Sequence, residues 1–197
     1  MMKSHLIAAV AAAVIASAVA LPATAAEDHV PAVTEFVSGN LKAALQDPVV
    51  VAAIKAQNEK TSGLSQAEID SLDKEWRAEI GSGGGKLVDE KLNSDLSAYL
   101  KKVKADQQGA ITELFVMDAK GLNVGQSDPT SDYWQGDEAK WQKSFGAGPD
   151  AVFVDEVEQD ESTQELQSQA SFTINDPETG KPIGAVTAGV NLEALGL

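Results

Sequence analysis

Residues 111–127 read ITELFVMDAKGLNVGQS, and how this stretch is parsed decides the fold. ITELFVMD is a short apolar run, rich in β-branched and aromatic residues, which predicts a strand buried on both faces or nearly so. Asp118-Ala119-Lys120-Gly121 is a tight-turn string in which Gly121 can adopt positive φ. LNVGQS then returns as a second strand, so the stretch is a β-hairpin. The periodicity on either side of it differs. Before residue 110 apolar residues recur at helical spacing; after it they alternate. The expected fold class is therefore α+β, with N-terminal amphipathic helices packed on an antiparallel β-sheet.

On the helical side, PAVTEFVSGNLKAALQ (31–46) places Val33, Phe36, Val37, Leu41, Ala44 and Leu45 at three- and four-residue spacings, an amphipathic helix. Asp47-Pro48 restarts a helix, with aspartate as N-cap and proline in the first turn. Ser65-Gln66-Ala67-Glu68 is a capping box opening a third helix, whose apolar face is Ile69, Leu72, Trp76 and Ile80. GSGGG (81–85) ends that helix as a flexible joint. A fourth helix, about 86–104, carries Leu87, Val88, Leu92, Leu96, Tyr99, Leu100 and Val103.

On the strand side, residues 127–150 form a long connection with a short helix at about 135–145. DAVFVDEVE, QELQSQASFTIND and PIGAVTAGVNL are three successive strands, joined by turns at DEST and Asp176-Pro177-Glu178-Thr179-Gly180. In the middle strand Leu166, Ala170, Phe172 and Ile174 share one face, and Gln167, Gln169, Ser171 and Thr173 the other.

The first 26 residues carry Lys3, an apolar run from Leu6 to Leu21 and a small-residue exit, the pattern of a secretory signal peptide cleaved after Ala25 or Ala26. A retained anchor is the alternative, since a span takes roughly 17–25 residues, but the run is alanine-rich and meets Pro22. The expected mature chain is residues 27–197, one domain with a helical part (31–104) and a sheet part (110–195), without a membrane span, and periplasmic or secreted. The net charge of −15 argues against nucleic acid and anionic lipid as partners. The absence of cysteine excludes disulfides and thiolate chemistry.

Nothing points to catalysis or to a cofactor. The histidine of the mature chain, His29, stands next to the new N-terminus, where chains fray. GSGGG lacks the Lys-Ser/Thr of a phosphate loop. Asp128, Asp132, Asp137 and Glu138 could supply calcium ligands, but their spacing departs from an EF-hand loop. The unusual segment is SDYWQGDEAKWQ (131–142), which gathers Tyr133, Trp134 and Trp141 with Asp132, Asp137 and Glu138 in a chain that is 5% aromatic. Across the expected helix Asp137, Trp141 and Phe145 or Ser144 share a face. Two readings stand. The rings and carboxylates line a pocket, or the tryptophans plug the end of the sheet. Lys140 and Lys143 are the nearby cations.

The first hairpin, ITELFVMDAKGLNVGQS, resembles that of the Cache (extracellular PAS-like, PDC) sensor domains. DPETGKPIGAVTAGVNLEAL (176–195) resembles their closing hairpin, and the segment between occupies the place of their lid. The resemblance spans about residues 31–195 and implies a PAS-like sheet and a domain that binds a small extracellular molecule. An amine, amino acid, carboxylate or sugar would enter between the sheet and residues 127–145, and closure would move the N-terminal helices, to be read by a membrane-bound signalling protein. The expected ligand-binding residues are Tyr133, Trp134, Asp137 and Trp141, then Asp132 and Lys140, with Phe115, Met117 and Thr187 as the sheet floor. The family's amino-acid motif of arginine, aromatics and a late aspartate does not map onto a chain whose single arginine is Arg77. The chain ends at Leu197, soon after the last strand, so a freestanding sensor is expected. The alternative is a ligand-free interaction module serving a membrane kinase or transporter.

Overall fold

A computed structural model describes residues 29–159 and 165–197. The expected signal peptide (1–26) and the DEST turn (160–163) lie outside the described residues. The first helical stretch is not one regular helix. Helix α1 (His29–Phe36) passes into a π turn (Val37–Leu41) and a 3₁₀ turn (Ala44–Gln46). The reason lies in the spacing. Val33, Val37, Leu41 and Leu45 recur at every fourth position and all are fully buried. In an α-helix four residues rotate about 400°, so such a stripe drifts by about 40° per step. The wider π turn takes up the drift and keeps the stripe on the sheet.

Asp47 caps helix α2 (Pro48–Thr61), accepting from Val49 N at 2.9 Å. Ser65 and Glu68 form the expected box on helix α3 (Gln66–Gly81), with Ser65 N donating to the Glu68 carboxylate at 2.8 Å. The glycine run is a tighter joint than its composition suggests. The Glu79 carboxylate accepts from Leu87 N and Val88 N at 3.2 and 2.8 Å, so the end of α3 caps the next helix. The expected 86–104 helix is divided into α4 (Lys86–Leu92) and α5 (Asp95–Asp106) because Ser94 starts a new helix, its hydroxyl accepting from Ser97 N at 3.1 Å. The break sends the halves to different places. Val88 packs with Trp76 in a small cluster, whereas Leu96, Leu100 and Val103 join the main core.

The sheet comprises β1 (Ile111–Asp118), β2 (Asn123–Gln126), β3 (Val152–Gln159), β4 (Leu166–Asn175) and β5 (Pro182–Asn191). All pairs are antiparallel in the order β2-β1-β5-β4-β3. The arrangement is α+β and consistent with the PAS-like sheet that the sequence resembles. Gly121 takes φ +82° in the first hairpin turn, as its position requires, and Gly121 N donates to Asp118 O at 3.0 Å. One face of the sheet carries Leu114, Val116, Ala170, Phe172, Ile174, Val186, Ala188 and Val190, packed against α1, α2 and α5. Leu166 departs from expectation: at the strand end it is 44% exposed and does not join Ala170, Phe172 and Ile174 in the core. Helix α2 is clamped to the sheet by Asn58, which donates to Ile183 O at 2.7 Å and accepts from Ala119 N at 2.9 Å.

Candidate functional site

The opposite face of the sheet is built differently. Register aligns Gln126, Phe115, Thr187, Ser171 and Phe153 in one row across β2, β1, β5, β4 and β3. Met117, Ala185 and Thr173 form the adjacent row. Apart from half-buried Phe153, these side chains are buried. Ser171 and Thr187 share a hydrogen bond at 2.8 Å, and the Thr173 hydroxyl donates to Gly148 O at 2.7 Å. Gln126 is fully buried, yet among the described residues neither the oxygen nor the nitrogen of its amide has a hydrogen-bond partner. A buried polar group left unmatched costs about 1–3 kcal/mol, so the bare carboxamide stands out from its surroundings. Gln126 reaches this face because the register slips between Val116 and Met117, which turns Val124 toward the helices.

A roof crosses the row. Helix α6 (Ala139–Gln142) is followed by a 3₁₀ turn (Phe145–Ala147). Trp141 and Phe145 stack at 5.2 Å between ring centroids and pack on Phe115, Met117 and Ala185. The Lys140 ammonium lies 5.6 Å from the Phe115 ring centroid, and that of Lys143 lies 4.5 Å from Phe153. Two cations thus stand over two rings of the same row. The Lys140 side chain is only 15% exposed and pairs with Glu138 at 2.9 Å, so it is not the solvated lysine its surface loop would suggest.

The expected residues divide into two groups. Trp141, Lys140, Phe115, Met117 and Thr187 come together under or within the roof. Tyr133 and Trp134 belong to a different cluster. Tyr133 stacks on Trp76 at 5.5 Å and is buried with Ile69, Val88 and Leu122, while Trp134 packs at its edge. There the core-plug reading describes the packing. Each tryptophan nonetheless ties the segment to the first hairpin, Trp134 Nε1 donating to Lys120 O at 2.9 Å and Trp141 Nε1 to Asp118 O at 3.2 Å. The expected 135–145 helix shrinks to four residues. Glycines at 136, 146 and 148 and Pro149 flank it and deny it further turns. Asp137 is exposed in the preceding turn and does not share a face with Trp141. Asp132 pairs with Arg77 Nη2 at 2.9 Å. The neighbouring Asp73 accepts from Arg77 Nε, Tyr133 N and Trp134 N at 2.8, 2.9 and 3.0 Å, anchoring the start of the segment to α3.

Three polar features escaped the sequence reading. Asp118 is fully buried, with Oδ1 accepting from Lys120 N and Leu122 N, and Oδ2 from Thr61 Oγ1 and Gln57 Nε2. Gln57 in turn accepts from Lys91 Nζ at 2.7 Å. Only the turn role of Asp118 was visible locally. His29 is not frayed: it is buried, with Nε2 hydrogen-bonded to Asp155 O at 2.9 Å, pinning α1 to β3. Gln126 gave no local signal beyond being a polar residue in a short apolar strand. Among the described residues no group of three or more His, Asp or Glu is placed to hold a metal ion; Asp128 is paired with Lys104 at 2.6 Å.

No family model matches the chain, and no curated protein matches it. Among solved structures it is similar to the extracellular domain of a proposed histidine kinase, rpHK1S-Z16, at 16% identity and TM-score 0.41 over 65% of this chain and 50% of that one. It is similar to the sensory domain of the Campylobacter jejuni chemoreceptor Tlp3 with isoleucine bound, at 12% identity and TM-score 0.38 over 84% of this chain and 63% of that one. It is also similar to the ligand-binding domain of the Pseudomonas aeruginosa amino acid chemoreceptor PctC in complex with GABA, at 16% identity and TM-score 0.39, covering 66% and 58%. The chain thus spans half to about two thirds of the length of these structures. These are, in turn, an extracellular, a sensory and a ligand-binding domain. Among the described residues no helix is long and apolar enough to cross a membrane.

Proposed function

We propose that this protein is an exported sensor domain that binds a small polar molecule between the second face of its sheet and the α6 roof, and passes the event to a membrane-bound signalling partner. The observation that carries this reading is Gln126. Its buried amide offers one acceptor and two donors to a row that also holds Phe115, Thr187 and Ser171. A ligand with adjacent donor and acceptor groups, such as an amino acid, a carboxylic acid or a sugar, would satisfy it. Lys140 would contribute charge, and Phe115, Met117 and Trp141 apolar surface. Tyr133, Trp134, Asp132 and Asp137 then serve to hold or flank the roof. No catalytic role is assigned to any residue. The indole bonds to Asp118 O and Lys120 O couple the roof to the hairpin, and the hairpin to α2, so closure over a ligand would be felt by the helices. The test is a thermal-shift screen of the mature protein against amines, amino acids, carboxylates and sugars. We expect at least one class to raise the melting temperature of wild type and not of Trp141→Ala. Stabilisation by no class would refute the reading in favour of an interaction module.

A further inference from the structure

We propose a second small-molecule site, on the helical side of the sheet, that takes an aliphatic monocarboxylate against Lys91. Helices α2, α4 and α5 and strand β2 enclose an open cleft of about 360 Å³. Its apolar lining is Val49, Ala52, Ala53, Ala56, Leu96 and Val124, which exposes no side chain larger than leucine. Lys91 also lines it, with its ammonium 5.6 Å from the centroid of the Tyr133 ring. Burial holds its ammonium pKa below the ordinary lysine value. Among the described residues no carboxylate lies within 4.0 Å of it, and its one hydrogen bond goes to Gln57 Oε1 at 2.7 Å. Lys104 and Lys140, by contrast, each have an acid within 3 Å.

A half-desolvated ammonium with donors to spare, in the lining of an apolar trough, matches a carboxylate head on a short hydrocarbon tail. The rim narrows the class. Lys60 favours an anion there, whereas Glu90 and Asp95 oppose a second negative charge. Gln57 links Lys91 to Asp118 and so to the hairpin that receives both indole N–H groups, giving the cleft a hydrogen-bonded route to the opposite face. The inference does not depend on the roofed site being occupied.

The experiment is a titration of isotopically labelled protein with sodium butyrate, followed by NMR, with disodium succinate as the comparison. We expect saturable shifts at Lys91, Gln57 and Val124, affinity at least tenfold weaker in Lys91→Met, and weaker binding of succinate than of butyrate. Ala53→Leu keeps the lysine and narrows the trough, so the result does not rest on Lys91→Met folding; it too should weaken butyrate at least tenfold. Absence of saturable shifts at these residues overturns the proposal. So does binding undiminished by either substitution, or a response confined to Phe115, Met117 and Thr187, which would assign butyrate to the other face.

Discussion

On the face covered by α1, α2 and α5, the central strands present Leu114, Val116, Phe172, Ile174, Val186 and Val190, and the buried polar side chains there, Asp118 and Ser168, are hydrogen-bonded within the protein. On the other face the same strands present Thr187, Ser171 and Thr173 beside Phe115 and Met117, and β2 adds Gln126. Both faces are buried, so solvent does not account for the difference. A protein that needed only to cover its sheet could have used valine or alanine in place of threonine and serine, avoiding hydroxyls and an amide that each need a partner. The helix-packed face is what holds the chain together. The roofed face tolerates polar groups, and among the described residues the Gln126 amide and Asn123 Oδ1 are unmatched there, as the proposal of a ligand on that face requires.

The comparison can be broken from either side. The largest effect belongs to the helix-packed face. Leu100→Ala removes a fully buried side chain from the main core and should cost about 3 kcal/mol. In urea unfolding the midpoint should fall, while ligand-induced stabilisation persists in proportion to the folded fraction. Selective loss of the ligand response with little loss of stability would undo the division of labour between faces.

The smallest effect concerns the Tyr133 cluster, the part of the connecting segment read here as anchor. Burial raises the Tyr133 phenol pKa well above its ordinary value of about 10. Above about pH 10 the unfolded chain loses that proton and the folded chain keeps it, so stability present below that pH is lost as pH rises. Tyr133→Phe should leave neutral-pH stability almost unchanged and flatten this alkaline limb. Tyr99, whose hydroxyl donates to Ala44 O at 2.7 Å, also has a raised pKa through burial, so Tyr99→Phe is the control. An unchanged alkaline limb in Tyr133→Phe would mean that Tyr133 is not the buried anchor described.

Periodicity and turn chemistry carried most of the fold. The Asp47 cap, the Ser65–Glu68 box, both hairpin turns and the two faces of β4 are local patterns, and local patterns are written in adjacent residues. What went unread depended on contacts between distant segments. The π turn follows from where the sheet lies under Val37 and Leu41, while the α4–α5 break had a local signal, the Ser94 cap, that the helical spacing on both sides masked. His29 is ordered only because β3 offers the Asp155 carbonyl. Of the expected ligand-binding residues, Trp141 and Lys140 were nameable from the segment between the hairpins and Phe115, Met117 and Thr187 from the hairpin strands, and the structure gathers these side chains on one face. The segment's aromatic composition, however, gave no sign that Tyr133 and Trp134 turn toward α3 while Trp141 turns toward the sheet. Gln126 needed the bulge in β2, which no sequence pattern announces.

The most direct test of the central claim is a pair of thermal melts of wild type and Gln126→Met, with and without the compound that stabilises wild type most in the screen. Replacing the unmatched amide with an apolar side chain of similar length should stabilise the ligand-free protein by about 1–2 kcal/mol. At about 2–4 °C per kcal/mol for a chain of this size, that is a readable rise in Tm. The same substitution should abolish the compound's effect. A variant that melts below wild type and still responds fully to the compound would contradict the account.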